Sequence, residues 1–392
     1  MRICHVTPHL PPDQAANALL PYHLGRWARA HGDEPTYIAH PSRSAGGSAG
    51  TVARTLDYPG PVTWIAPRDR TRPLSRLLKL AGVEAAVRII REARPAIAAA
   101  DVVHLHSNGL LTEICALVAS RLRKPTVLTL YGTEIWHYRR RRARPDLFTR
   151  AYRRAAVVTF YSRGLLDRAV AHGLSRPHLR VVYPPVAAEF QHRDVAGQAA
   201  AKAAMSIAER HLLVNVKRLH PLAGQRFLIE AMPEVIRAHP DCRLVVSGTG
   251  DLLPELEAMA RGVGVDRQVT FAGLIDNETV ARYDMAADVF VLPSLLEACP
   301  TVALEALACG TPVISSDNPG GVELHGLFGA DVAVVPREDA PALARAIIGA
   351  LSSPRRVDPG TRLLIERDFR PEAVDLTYRE IYARALEHGP KA

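Results

Sequence analysis

Short apolar runs alternate with longer amphipathic stretches along most of this 392-residue chain, and few features restrict a fold so tightly. A first strand over Arg2 to Val6 leads through a loop, Thr7 to Ala18, into a helix near Leu19 to Ala30 and a strand over Glu34 to Ala39. The order continues with a helix around Leu74 to Arg94, a strand Val102 to His106, a helix Leu110 to Leu122, and a strand Thr126 to Leu130. A helix near Arg150, a strand Val157 to Tyr161, a helix Gly164 to His172 and a strand Leu179 to Val182 complete this series. Strands that alternate with helices form a parallel sheet covered on both faces.

A second series opens after Tyr183-Pro-Pro-Val186, with strands over Leu212 to Val216, Arg243 to Ser247, Val269 to Ala272 and Val289 to Leu292, and a helix between each. The chain is too long for one ordinary core. The predicted fold class is therefore α/β: two doubly wound Rossmann-like domains, 1–185 and 211–370, joined by a linker over 186–210 and followed by a last helix within 371–392. Ligands in such sheets bind beyond the carboxyl ends of the strands, so substrates are expected in a cleft that the two domains face. Pro41 to Gly60 reads as a surface excursion and Arg68 to Lys79 as a basic one.

Hydrophobic residues at 48% with 23% charged residues place the chain among soluble globular proteins. No apolar run is long enough to span a membrane, and Met1 to Val6 reads into a buried strand instead of a signal peptide, which predicts a cytoplasmic protein. Cys4, Cys115, Cys242, Cys299 and Cys309 have neither paired nor metal-type spacing and are expected as reduced thiols. Charge is divided unevenly. Through Pro185 there are 28 Lys/Arg against 12 Asp/Glu, a balance of +16; beyond it there are 21 against 28, a balance of −7. The basic half predicts an anionic acceptor or peripheral contact with an anionic membrane face. Nucleic acid competes for such charge, but no recognition motif accompanies it.

The stretch from Val289 to Asp317 carries the chemistry. An apolar strand runs into a loop bearing Glu297, a helix opens at Pro300 and Thr301, Glu305 lies on its second turn, and Gly310 stops it. Two carboxylates thus flank one helix N-terminus, whose free N–H groups at Thr301 and Val302 suit a phosphate. Carboxylates beside phosphate make sense when each accepts hydrogen bonds from sugar hydroxyls, which describes a nucleotide sugar. The helix macrodipole alone also favours acidic residues in a first turn, and chance pairs arise from it.

In context, the strand, the Glu297 loop, Pro300, Glu305 and Ala-Cys-Gly-Thr-Pro-Val together resemble the donor-site signature of family 4 retaining glycosyltransferases, which have the GT-B fold. The likeness continues along the chain in Pro8 to Asp13, Asp101 to His106, Thr129 to Thr133, Asn215 to Leu219, Val245 to Gly250, Val269 to Gly273 and Ala287 to Ser294. It implies hexose transfer from a UDP- or GDP-linked donor to a glycan, lipid-linked or small-molecule hydroxyl acceptor, with retention of configuration. No cofactor or metal is implied, and the chain has no Asp-x-Asp. A front-face displacement, in which the leaving phosphate takes the acceptor proton, needs positioning more than a general base. The last helix is expected to pack back onto the first domain, as in family members.

Roles follow residue by residue. Glu297 is expected to hold sugar hydroxyls, Glu305 the ribose diol, and Thr301 and Val302, after Pro300, the phosphates. Cys299 is expected to line the donor site. Arg218 ends a buried strand, where a guanidinium is costly without an anion such as a diphosphate, and Lys217 stands beside it. His106 is expected to point into the cleft and orient the reacting sugar, a core histidine being the alternative; His104 is left to the core. Gly248, Gly250 and Gly273 are read as letting backbone approach the nucleotide; Leu253 in the third-glycine position argues against a dinucleotide motif. Asp13, Ala16, Tyr131 and Trp136 are assigned to the acceptor side. Trp136 begins the aromatic and basic run through Arg144, which a solvated turn explains equally well.

Three departures accompany the likeness. Ala15-Ala16 replaces a glycine pair, Leu222-Ala223-Gly224 lacks the usual second phosphate cation, and Tyr131 stands where many members have histidine. They keep two alternatives open: a partner protein that binds a sugar nucleotide without transferring it, and a non-transferring GT-B enzyme such as an epimerase.

Overall fold

The computed structural model describes residues 1–13, 15–41, 57–67, 81–139 and 146–389, and the chain divides into two compact units, Met1–Val182 with Asp375–Ala392, and Tyr183–Val374. The basic stretches over Arg68 to Lys79 and Arg140 to Arg144, and most of the excursion after Pro41, fall outside the described residues.

Unit 1 holds β1 (Arg2–Thr7), β2 (Glu34–Ala39), β3 (Val62–Trp64), β4 (Val102–His106), β5 (Thr126–Leu130), β6 (Val157–Phe160) and β7 (Leu179–Val181). They pair in the order β3-β2-β1-β4-β5-β6-β7, all parallel. Every residue of β4, β5 and β6 is buried, as expected of strands covered on both faces. The edge strand β3 was not anticipated. Three half-exposed residues carry no readable pattern.

The helices of unit 1 are α1 (Ala16–Ala30), α2 (Ala81–Ala99), α3 (Leu110–Arg121), α4 (Thr133–Trp136), α5 (Leu147–Arg154) and α6 (Arg163–Ala171). The short α4 was not expected, and the first two helices differ from expectation. The first begins at Ala16 instead of near Leu19, so Ala16 is a helical residue and not part of the loop, because burial of Ala18 and Leu20 draws the first turn onto the sheet. The second runs through Pro95 instead of stopping at Arg94. Ala93 and Ile97 are both fully buried, and their packing outweighs the one backbone hydrogen bond that the proline removes.

Unit 2 contains α7 (Val195–Ala204), β8 (His211–Val216), α8 (Gln225–Ala238), β9 (Cys242–Ser247), α9 (Leu253–Gly262), β10 (Val269–Gly273), α10 (Asn277–Ala286) and β11 (Val289–Leu292). It continues with α11 (Thr301–Ala308), β12 (Val313–Ser316), α12 (Pro319–Phe328), β13 (Val332–Val335), α13 (Ala340–Ser352), α14 (Pro359–Asp368) and the start of α15 (Pro371–His388). The strands lie in the order β10-β9-β8-β11-β12-β13, all parallel. Alternation along the strands fills both faces: Leu212, Val214, Phe290 and Leu292 enter one core, and Leu213, Val289 and Val291 the other.

The stretch 186–210, expected as a linker, is counted with unit 2. Val186 and Phe190 are buried in its core, and Asp194 caps α7 by accepting from the Gly197 amide. Arg356 ties the segment down by donating to the carbonyls of Arg193, Ala287 and Cys309 and to Thr311. From Asp375 onward α15 is counted with unit 1, where Tyr378 and Tyr382 are buried.

Candidate functional sites

In unit 2 the strand order reverses between β8 and β11, the place where doubly wound sheets bind ligands. The loops leaving those two strands carry the predicted donor residues. Glu297, in the loop after β11, is 12% exposed and forms an ion pair with Lys217 at 2.6 Å, so the two charges that sequence assigned separately are held together. The Glu297 carbonyl also accepts from the Gly320 amide at 3.0 Å. A β-carbon on Gly320 would lie 2.9 Å from the Glu297 side chain and 3.0 Å from Pro300, which explains the glycine. Sequence reading missed this contact, although the Asn318 cap of α12 and the glycine pair behind it were visible in Asn318-Pro-Gly-Gly.

Pro300 is the residue before α11 and not its first, with an extended backbone and no side-chain cap. The first helical amides, Thr301 and Val302, have no acceptor among the described residues, while Ala303 and Leu304 donate to the Pro300 carbonyl. Thr301 and Val302 are half-buried, so both amides remain approachable at the positive end of the helix dipole. Gly310, with φ of 91°, ends the helix as anticipated. Glu305 is half-buried on the second turn; burial, then the charge of Glu189, pushes its carboxyl up to about 7. Beneath it on α10, fully buried Asp284 leaves both carboxyl oxygens unpartnered, and burial holds its carboxyl well above the usual range. Cys299 is partly exposed, its thiol raised by burial and then by the charges of Glu323 and Glu297.

Arg218 differs from expectation. It lies two residues past the end of β8, is exposed, and has no ion-pair partner among the described residues, so no buried cation demands an anion there. Gly248 and Gly250 also have a structural explanation. A β-carbon at Gly248 would sit 2.0 Å from the Lys217 carbonyl, and one at Gly250 2.0 Å from the Leu219 carbonyl, so these glycines let the turn pass over the segment carrying Lys217 and Arg218. Gly273 has φ of 66°, its carbonyl accepts from the Gly248 amide, and space around it is open. Gly248→Ala, with φ of 136° and that backbone clash, is expected to destabilise unit 2 by at least about 2 kcal/mol, read as an earlier urea transition in far-ultraviolet circular dichroism.

Unit 1 has its own strand-order reversal between β1 and β4, and three histidines mark it. His5 is the register partner of His104, and His106 lies two residues on, so all three rings share one face. All are fully buried. His106 is therefore not the open, sugar-facing group expected of it: its Nδ1 meets the Tyr131 hydroxyl at 2.8 Å and its Nε2 meets His5 Nδ1 at 3.1 Å. His104 bonds Tyr382 of α15 at 2.8 Å and Thr129 at 2.7 Å. Burial drives the His5 ring down to about 3 and holds His104 and His106 well below the ordinary imidazole value, so all three are neutral at pH 7.

One potential ligand atom from each of these histidines lies within 4.8 Å of the others, the only such metal-ligand spacing among the described residues. Hydrogen bonds already occupy every ring nitrogen except His5 Nε2, and an ion would have to displace them. Of the remaining acceptor-side residues, Asp13 pairs with His9 inside its own loop at 3.0 Å, Ala16 is half-buried in α1, and half-buried Trp136 ends α4. Tyr131 is half-buried just beyond β5 and packs edge-on against Tyr161.

Residues 20–190 match the model of Glycosyltransferase Family 4, and residues 210–353 match that of Glycosyl transferases group 1. The chain belongs to glycosyltransferase family 4. It is 35% identical over 210 residues to the GDP-mannose-dependent alpha-(1-6)-phosphatidylinositol monomannoside mannosyltransferase of Mycolicibacterium smegmatis, covering 52% of this chain and 54% of that protein. It is 32% identical over 187 residues to D-inositol 3-phosphate glycosyltransferase 2 of Catenulispora acidiphila, covering 45% and 44%. The chain spans about half the length of the curated relatives it matches.

Among solved structures, sucrose-phosphate synthase from Thermosynechococcus elongatus superposes with a TM-score of 0.74 at 20% identity, over 99% of each chain. HepE of Anabaena in complex with UDP-glucose gives 0.70 at 18% identity, over 98% of this family 4 chain and 99% of that one. At such identity the likeness shows the fold, two parallel-sheet α/β domains of the GT-B type. Among the described residues, no helix is long and apolar enough to cross a membrane.

Proposed function

We propose that this chain is a retaining glycosyltransferase that moves a hexose from a nucleoside diphosphate sugar to a hydroxyl acceptor without a metal. The observation that carries this reading is that one loop after β11, at a strand-order reversal, bears both the Lys217-paired Glu297 carboxylate and the two unsatisfied amides opening α11. In this reading the amides of Thr301 and Val302 hold the diphosphate, Glu297 accepts hydrogen bonds from hexose hydroxyls, and Glu305 accepts them from the ribose diol. Exposed Arg218 closes on the phosphates, and Lys217, 2.6 Å from Glu297, supplies the second cation that Ala223 does not. These groups neutralise the departing diphosphate, which takes the acceptor proton.

The relatives' names point to GDP-linked mannose as the first donor to try and UDP-linked hexoses as the second. Their inositol-bearing acceptors suit the +16 charge balance of residues 1–185, so the acceptor is read as an anionic polyol, free or lipid-linked, met by peripheral contact of a cytoplasmic protein with a membrane face. The test is a donor panel scored by nucleoside diphosphate release, with inositol phosphates and phosphatidylinositol vesicles as acceptors. Release from one donor that depends on acceptor supports transfer. Tight nucleotide binding without release from any pair supports the alternative of a sugar-nucleotide-binding partner, which the absent cation at Ala223 favours.

The carboxyl of Glu305 adds a pH dependence. Burial raises it to about 7, and the ribose diol needs the ionised form, so donor affinity should rise from pH 6 to pH 8. Calorimetric titration of the nucleoside diphosphate at both values checks this, and Glu305→Gln should flatten the profile.

A further inference from the structure

A hydrogen-bonded chain in unit 1 runs from His5 through His106 to Tyr131, and the one idle nitrogen among the three buried imidazoles, His5 Nε2, fixes where its protons lie. A neutral imidazole has one N–H and one bare nitrogen. If Tyr131 donated its hydrogen to His106 Nδ1, then His106 Nε2 would donate to His5 Nδ1, and His5 would carry a buried N–H at Nε2 with no acceptor. In the opposite arrangement His5 Nδ1 donates to His106 Nε2, His106 Nδ1 donates to the Tyr131 oxygen, and His5 Nε2 is only an idle lone pair. Burying an N–H without an acceptor is the more costly of the two. The second arrangement therefore prevails.

Its consequence falls on Tyr131. The phenolic oxygen accepts from His106, and its own hydrogen has no partner among the described residues. Burial keeps this phenol protonated, with the nearby Tyr161 a smaller influence in the same direction. His5 and His106 have no exposed surface, whereas Tyr131 is only half-buried and stands at the carboxyl end of β5, one strand from the reversal between β1 and β4. We propose that Tyr131 contacts substrate with its hydroxyl as the hydrogen-bond donor, and that His5, acting through His106, is the positioning residue that fixes this direction of donation.

The activity part of the test rests on the proposed transfer reaction, and the tautomer part does not. Nitrogen-15 NMR of the full-length, histidine-labelled protein should show His106 protonated at Nδ1 and bare at Nε2. His5→Asp puts an acceptor where the donor to Nε2 stood, so His106 takes its proton there and accepts the Tyr131 hydrogen at Nδ1. The tautomer inverts, and turnover falls about tenfold. His5→Asn, whose amide N–H can replace Nδ1–H, restores the tautomer and most of the lost turnover. Tyr131→Phe loses the same factor, and adding His5→Asp to it costs nothing more. Should His5→Asp fail to fold, the wild-type tautomer, His5→Asn and Tyr131→Phe remain as readouts. A wild-type His106 protonated at Nε2, or full turnover in Tyr131→Phe, overturns the proposal. If no donor is turned over, the transfer reading fails by itself, and the tautomer of His106 still decides the chain from His5.

Discussion

Glu297→Ala is expected to lower the rate of nucleoside diphosphate release by about a hundredfold to ten-thousandfold while the protein stays folded. The carboxylate lies in the loop after β11, 12% exposed and 2.6 Å from Lys217, and in the proposed site it accepts hydrogen bonds from hexose hydroxyls. Hydrogen bonds to a charged group contribute about 1.5–3 kcal/mol each, and two of them account for the expected range. The substitution also leaves Lys217 without its carboxylate, but that ammonium is 29% exposed and can turn to water or phosphate, so the loss of stability should be about 1 kcal/mol. Glu297→Gln keeps the shape and removes the charge, and should fall between wild type and Ala. Initial rates at saturating donor, with melting followed in parallel, separate chemistry from folding. Unchanged turnover in the alanine variant rejects the donor-site assignment.

A second large effect is expected in acid. His5, His104 and His106 are fully buried and neutral, each held well below the ordinary imidazole value by burial, and for His104 and His106 also by neighbouring histidines. In the unfolded chain each titrates near 6.5. The folded form is thus the one that resists protonation. Its advantage is complete above pH 6.5 and is lost as pH falls from there toward the lowered folded values. At pH 5.5 each histidine favours the unfolded state by roughly 1 kcal/mol, so the three together should remove a few kcal/mol from unit 1 relative to pH 7.5. That is a large share of a domain's net stability.

All three tryptophans, Trp27, Trp64 and Trp136, lie in unit 1, so their fluorescence in urea titrations reports this unit selectively. A midpoint that stays level between pH 7.5 and 5.5 would show that these rings are already charged or exposed. His5→Asn removes one titrating group and should reduce the pH slope by about a third.

Much of the architecture could be read from the pattern of residues, and the reasons are local. The strand Glu34–Ala39 and the strands Val102–His106 and Thr126–Leu130 were placed to the residue, because buried parallel strands leave continuous apolar runs that polar turns interrupt. The stop of α11 at Gly310 followed from a conformation that glycine adopts readily. Extension of α2 through Pro95 was not legible, since the compensation comes from Ala93 and Ile97 packing against residues distant in the chain. The three residues of β3 were hidden for a similar reason, being held by pairing with β2 and by packing of Val62 and Trp64 against residues distant in the chain or in the preceding loop.

The candidate sites show the same division. Sequence alone determined which residue types cluster around the Val289 to Asp317 segment, because a strand, a loop and a helix N-terminus are set by neighbours a few positions apart. It also determined the family, through motifs that keep their order along the chain. Tertiary structure decided what each side chain meets. It joined Lys217 to Glu297 across 80 positions, exposed Arg218 past the end of its strand, set Gly248 and Gly250 against backbone, and turned His106 inward to His5 and Tyr131. The physical reason is that a side chain's exposure, charge and proton position depend on the dielectric and hydrogen-bonding partners around it, and in a parallel sheet those partners come from strands separated by whole helices.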